Sequence, residues 1–280
     1  MIFPVPPGEV VHAGAEEVTT DVPELLRFGN LSGEPGLVHA VSTRSGGVSS
    51  GPYASLNLGE ATGDDPAKAA ENMRRFMAAA GMPPERLAAM RQDHTANVAE
   101  VRGDWPFGPP GEPVFQPHID GMVTRLKNTP LIAFSADCAT AVFYDRTNAA
   151  LGVMHAGWRG AVQNIFRAAF ERMALLYGSR PGDISAGVGP CICAAHYPVG
   201  EDFTAGLGAL FGADKAARLL RRVDGRAHFD LRALLREQLL ELGITNHEFS
   251  PLCTREDERL FSWRRDKGVT GRFALAAMLK

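Results

Sequence analysis

The apolar positions of this chain follow two rhythms, and the switch between them outlines a fold. Through the middle, "GMVTR", "PLIAFSA", "AVFYD" and "ALGVMHA" are short apolar runs rich in β-formers, parted by turn residues such as Asp145 and Asn148. Past "GWRG" the interval lengthens: Val162, Ile165, Phe166, Ala169, Phe170, Met173 and Leu176 fall at helical spacing and predict one amphipathic helix. Upstream, "GLVHAVSTR" (36–44) reads as a buried strand and "ANVAEVR" as another. "DDPAKAAENMRRFMAAAG" (64–81) reads as a helix, with an Asp before Pro66 and a closing Gly81. Downstream, "DISAGVG" is a strand, two or three helices lie between 199 and 242, and the end reads as loop then strand. Strands in the middle with helices on both sides predict one α/β domain with a mixed sheet.

Turn-formers mark the boundaries. The first 35 or so residues are rich in Pro, Gly and Glu and read as a loose leading segment (1–36), which leaves 37–280 as a single domain. "SGGVSSGPYASLNLG" and "GDWPFGPPGEPVFQP" read as long loops. There is no internal repeat.

Composition narrows the function classes. A chain of 280 residues buries roughly three quarters of its unfolded surface as one globule, so it needs no disulfide framework. A net charge of −3 gives no general pull toward nucleic acid or anionic membrane, so any anion site is local. No apolar run approaches the ~20 residues of a membrane-spanning helix. The first residues lack the charged start and apolar core of a secretory leader, and a cytoplasmic location is expected.

Most of the eight histidines and four cysteines must be innocent, but three stand where strands stop or loops turn. His94 lies in "RQDHTANV", Cys138 in "SADCATAVF", and His155 ends the "LGVM" strand. Cys138 and His155 bracket a strand, a turn and a strand, which makes them candidate neighbours. Two histidines and a cysteine are an incomplete coordination set, the arrangement of catalytic zinc with one position open. Spacing alone favours core or surface histidines beside a buried thiol, and it also admits a Cys138–His155 nucleophile pair. For anions, Arg44 with Gly46 and Gly47 offers a guanidinium and a glycine loop, and Arg159 stands at a helix start. Asp120 and Asp137 sit where they can orient ligand histidines. Trp158 either stacks on a base or fills the corner.

Taken in order, "TRSGGVSSGPYASLNLG", "QDH", "DGMVTR", "ADC", "HAGWRG", "GPCIC…HYPVG" and "FSWRRD…TGR" resemble the YfiH-like, laccase-domain family over roughly residues 37–280. Its members carry names such as polyphenol oxidase, peptidoglycan editing factor and purine nucleoside phosphorylase. The resemblance implies a layered α/β sandwich, a mixed sheet flanked by helices, distantly like the catalytic domain of cytotoxic necrotizing factor toxins. It implies zinc at His94, Cys138 and His155, and phosphorolysis of adenosine, inosine, guanosine and methylthioadenosine with inorganic phosphate as co-substrate. Deamination of adenosine comes with it. Arg44 and Asn57 match family pocket positions, and Cys138, His155 and Arg44 take the catalytic assignments. The sequence departs from the family at Asp93 and Thr95, where Val and Gly commonly flank the histidine, and at Thr140, where proline is common.

Three other readings compete with this one. A copper phenol oxidase suits the older family name, but multicopper sites use many more histidines than this scatter, which has no repeated His-x-His pair. A Cys138–His155 hydrolase linked to peptidoglycan editing would need no metal. A non-enzymatic binding protein would be indifferent to loss of Arg44. The His-x-Glu…Pro-Cys-x-x-Cys frame of the zinc deaminases is absent.

Overall fold

A computed structural model describes residues 22–280. Its strands form two six-stranded mixed sheets where the sequence predicts one. The first runs β1 (Leu25–Leu26), β2 (Leu37–Ser42), β14 (Phe273–Leu279), β7 (Leu131–Ser135), β3 (Ala88–Met90), β5 (Phe115–Gln116). The second runs β13 (Asn246–Phe249), β10 (Ile184–Val188), β8 (Ala139–Asp145), β9 (Ala150–Ala156), β6 (Gly121–Thr124), β4 (Val98–Glu100). A hairpin of β11 (Leu220–Val223) and β12 (Arg226–Phe229) stands apart from both.

Strand alternation sets the layers. In β14, Leu275, Ala277 and Leu279 face a core shared with Val142, Leu151 and Val153 of the second sheet. The intervening Ala274, Ala276 and Met278 face α1 (Pro66–Ala80), through Met73, Phe76 and Met77. In the second sheet Ala141, Phe143 and Met154 turn outward onto α3 (Ile165–Tyr177) and α6 (Leu231–Leu242). The result is a four-layer α/β/β/α sandwich, the layered α/β class expected. Both faces of both sheets are covered, so the strands read as continuous apolar runs, and such runs do not reveal which sheet a strand joins.

Local chemistry explains the element ends. The Asp65 carboxylate accepts the Ala67 amide at 2.9 Å to start α1, and Gly81 closes it in the left-handed region. The single helix expected after "GWRG" is two: α2 (Trp158–Val162) and α3, split at Asn164. Asn164 adopts φ 61°, which breaks the helix, and its side chain then caps α3 by accepting the Arg167 amide at 3.1 Å. After Gly200 come α4 (Glu201–Phe211) and α5 (Ala213–Arg218), as short helices ahead of the unforeseen hairpin.

The loose leading segment needs correction over the residues described. β1 pairs with β2, Phe28 and Leu31 are buried between the sheets, and the Asn30 amide donates to Glu248 at 2.9 Å. Four apolar residues inside a Pro- and Gly-rich stretch are enough to dock it. Residues 1–21 lie outside the described residues. No helix among the described residues is long and apolar enough to cross a membrane.

Candidate functional site

β8 and β9, the central strands of the second sheet, pair antiparallel with Thr140 opposite His155, so Cys138 before β8 and His155 near the end of β9 meet at one end of these strands. β6 pairs with β9 on the other side, and Asp120, just ahead of it, lies beside His155. The 91–95 loop between β3 and β4 brings His94 over the same end. One donor atom from each of His94, Cys138 and His155 lies within 4.8 Å of the others, and the two imidazole rings meet edge to face at 4.9 Å.

Asp120 assembles this cluster. It is fully buried, and its carboxylate accepts from the amides of Asp93 (3.1 Å), His94 (3.1 Å) and Thr95 (2.7 Å) and from the Thr95 hydroxyl (2.9 Å). Those bonds hold His94 at φ 60°, a conformation uncommon for a non-glycine residue. The departure from the family at Thr95 thus adds a hydroxyl to the grip. Gln92 pins the loop's other side with a reciprocal pair to the Phe134 backbone, at 2.8 and 2.7 Å. Asp120 also lies 2.8 Å from His155 Nδ1, which leaves Nε2 for the cluster.

The electrostatics couple the members. Burial opposes ionisation of Cys138, but the facing His155 and His94 outweigh it and bring the thiol down to about 6. Burial likewise favours neutral His155, yet the Cys138 sulfur and then Asp120 raise its ring to about 9. Asp120, despite burial, is held below the ordinary carboxylate range by His155 and Thr95.

A cation fits these donors. His94 Nδ1 is buried with no hydrogen-bond partner among the described residues. Gly157 makes the room: a Cβ there would overlap the His94 ring and approach Cys138 Sγ to 3.1 Å. Its φ of −71° is ordinary for any residue, so space and not backbone requires glycine. Two imidazoles and a thiolate suit zinc with a position left for water or substrate.

The cluster opens into a cavity of about 540 Å³. Arg91, Arg264 and Arg272 line it, as do the aromatic rings of Phe115, Trp158, Tyr197 and Trp263. Arg272 lies 5.2 Å over Trp263, and Arg264 lies 5.4 Å over Tyr197. These three arginines were legible only as parts of "RQDH" and "FSWRRD…TGR"; nothing in their spacing points them at a pocket.

The other residues proposed from sequence lie elsewhere. Arg44 Nε donates to Ala54 O at 2.6 Å and its guanidinium covers Phe261 at 4.6 Å. Gly46 and Gly47 allow close approach to the backbone of Pro23 and of Ser55–Leu56. None of the three lines the cavity. Asn57 is buried behind the wall: it binds Thr62 (3.0 Å) and Asp64 (2.9 Å), and accepts the Arg272 amide at 2.8 Å. It therefore braces both the 59–62 loop and Arg272. Arg159 covers Trp158 at 4.6 Å without lining the cavity. Among the described residues Asp137 hydrogen-bonds no histidine; it accepts from Thr254 (2.6 Å), Ser262 (2.7 Å) and the Arg264 amide (2.6 Å), tying the C-terminal loop to Cys138's turn.

Known proteins resemble this chain over most of its length. A purine nucleoside phosphorylase of Deinococcus radiodurans is 37% identical over 250 residues, covering 89% of this chain and 90% of that protein. One from Streptomyces griseus is 36% identical, covering 84% and 91%. The crystal structure of YlmD from Geobacillus stearothermophilus superposes with a TM-score of 0.83 at 30% identity, over 91% of this chain and 96% of that one. The Bacillus licheniformis protein YfiH superposes at 0.79 and 26% identity, over 87% and 93%. Residues 38–280 match the family described as multi-copper polyphenol oxidoreductase laccase, and the chain belongs to that laccase-like, YfiH-type family.

Proposed function

We propose that this protein is a zinc-dependent purine nucleoside phosphorylase acting on adenosine, inosine, guanosine and methylthioadenosine, with deamination of adenosine as a second activity. The observation that carries the reading is the His94–Cys138–His155 cluster at a cavity whose walls bear three arginines and several aromatic faces. The relatives named purine nucleoside phosphorylase support the same class. When bound by His94, Cys138 and His155, zinc supplies a Lewis acid that polarises an oxygen or ring nitrogen at the reacting centre.

The chain's own groups take the remaining tasks. Asp120 accepts the His155 Nδ1–H and keeps Nε2 turned to the cluster. Arg91, Arg264 and Arg272 match the charge of inorganic phosphate and leave no need for a glycine cradle. Trp263, Tyr197 and Phe115 present π-faces and edges to a purine. In phosphorolysis a phosphate oxygen bonds to the anomeric carbon as the glycosidic bond breaks, and the electron pair leaves with the base, which takes up a proton. In deamination water adds at the purine amino-bearing carbon and ammonia departs.

The test is mass-spectrometric product analysis of adenosine incubated with zinc-loaded protein, with and without phosphate. Adenine plus ribose 1-phosphate, formed only with phosphate, is the expected result; inosine in both samples marks the deaminase activity. Absence of both products from folded, zinc-bearing protein would overturn the proposal. The family description favours one further reading, copper-dependent phenol oxidation, and phenol turnover by copper-loaded protein in place of nucleoside cleavage would establish it.

A further inference from the structure

A second group of donors lies apart from the first. Cys193 and His196 stand at the two ends of a C-x-x-H turn, and Cys253 and Glu256 at the two ends of a C-x-x-E turn. Each turn is closed by its own backbone: His196 N donates to Cys193 O at 3.0 Å, and Glu256 N to Cys253 O at 3.1 Å. Each turn therefore offers its first and fourth side chains together, as the loops of structural zinc sites do. From the sequence, the single residue between Cys191 and Cys193 hides this pairing, because the partner of Cys193 is sixty residues further along.

Three Lewis-base atoms converge on one nitrogen. His196 Nδ1 lies 3.4 Å from Cys193 Sγ, 3.6 Å from Cys253 Sγ and 3.3 Å from a Glu256 carboxylate oxygen. A single N–H cannot serve all three acceptors well, whereas a shared cation can. With Zn–S about 2.3 Å and Zn–N or Zn–O about 2.0 Å, a tetrahedron places S and N donors ~3.5 Å apart and N and O donors ~3.3 Å apart. The three separations from His196 Nδ1 therefore match the three edges of that tetrahedron that meet at the nitrogen. All four donors lie within 4.8 Å of one another.

The frame around them is prepared. Cys193 N donates to Cys253 Sγ at 3.3 Å, which ties the first turn to the second. Arg232, at the start of α6, ties the approaches to both turns by donating to Cys191 O (2.9 Å) ahead of the first and to Pro251 O (3.1 Å) and Leu252 O ahead of the second. His228 Nδ1 lies 2.8 Å from Ala194 O and steadies the first. Cys253 is buried and the Glu256 side chain is 58% exposed, so the donors are anchored inside and reached from outside.

We propose that Cys193, His196, Cys253 and Glu256 form a second, four-coordinate zinc site, separate from the His94–Cys138–His155 centre. Four protein ligands leave no open position, so the site is structural. It fastens the 193–196 turn, whose neighbours Ile192 and Tyr197 line the cavity, to the 253–256 turn. The inference does not depend on the reaction assigned to the first centre.

Metal content of the full chain tests it. In the H94A/C138A variant, which removes two ligands of the first centre, mass spectrometry should find one zinc per chain, and cobalt in its place should give thiolate-to-metal charge-transfer absorption with tetrahedral d–d bands. Adding C193S should abolish both, and E256Q should release its zinc to a chelator faster than the parent. Absence of zinc and of the charge-transfer band in H94A/C138A would overturn the site, as would a Cys193–Cys253 disulfide in the purified protein. Should the combined variants fail to fold, cobalt titration of the metal-stripped native chain decides: charge-transfer intensity rising to two equivalents supports two sites, and saturation at one excludes the second.

Discussion

Asp120 grips His155 from both its backbone and its side chain: the Asp120 carbonyl accepts the His155 amide at 2.7 Å while Oδ1 meets Nδ1 at 2.8 Å. The same carboxylate holds three amides of the His94 loop, so one buried residue positions two of the three candidate ligands. Replacing it with Asn puts an amide N–H where a donor already points and leaves part of that set unpaired. Asp120→Asn should weaken zinc binding by roughly 10–100-fold, in line with other residues that orient metal-binding histidines. Competition with a chromophoric chelator reads this directly; unchanged affinity would show that the loop holds itself.

Gly157 permits a second test of the same centre. An added methyl meets the His94 ring and then Cys138 Sγ, while the backbone accepts alanine without strain. Gly157→Ala should lose the zinc of the His94–Cys138–His155 centre yet stay folded, with a stability cost of about 1–3 kcal/mol from overpacking. Zinc per chain and thermal unfolding, measured together, separate this outcome from general collapse. Full zinc occupancy would mean that His94 is not a ligand.

Much of this was legible in the sequence, and the failures have physical causes. His155 stands out because a histidine near the end of an apolar strand has few structural reasons to be there, and His94 and Cys138 because they sit in short loops beside strands. Helix α1 announces itself through Asp65 and Gly81, whose roles are local. Sheet membership is not local: β3 and β13 are short strands at or near sheet edges, and nothing within four residues identifies their partners. Glycine loops and nearby arginines suggested anion binding at Arg44, but Gly46 and Gly47 serve the close approach of two backbone segments. The arginines that do line the cavity come from the 91 loop and from a C-terminal segment that tertiary folding brings across the sheet.

This contrast sets Arg272 against Arg44. Arg272 lines the cavity over Trp263 and has its amide fixed by Asn57, whereas Arg44 is engaged with Ala54 and Phe261. Hydrogen bonds to charged groups contribute about 1.5–3 kcal/mol, or roughly 10–100-fold in an equilibrium constant. Arg272→Met should therefore raise the KM for phosphate by about that factor with little loss of stability. Arg44→Met should do the reverse, lowering the melting temperature and leaving the phosphate KM within a few-fold of native. Steady-state kinetics at varied phosphate, with melting curves, distinguish the two; equal effects on KM would return Arg44 to the binding site.

The docking of the 25–31 segment supplies a pH dependence with a definite sign. His39 Nε2 accepts the Phe28 amide at 2.9 Å, the two rings stack at 5.5 Å, and Arg27 donates to the His39 carbonyl. Burial first, and the Arg27 charge second, push the His39 ring down to about 4. An unfolded chain takes up that proton near 6.5. Between those values the unfolded state binds more protons than the folded one, so the stability from His39 is complete above about pH 6.5 and falls as the pH drops toward 4. The slope is at most about 1.4 kcal/mol per pH unit. His39→Gln keeps an acceptor for the Phe28 amide but does not titrate, so its melting temperature should decline less steeply through that window. Amide exchange at Phe28 should accelerate on acidification in the native protein and not in the variant. Parallel melting curves for the two proteins would remove His39 as the origin, since other carboxylates and histidines titrate equally in both.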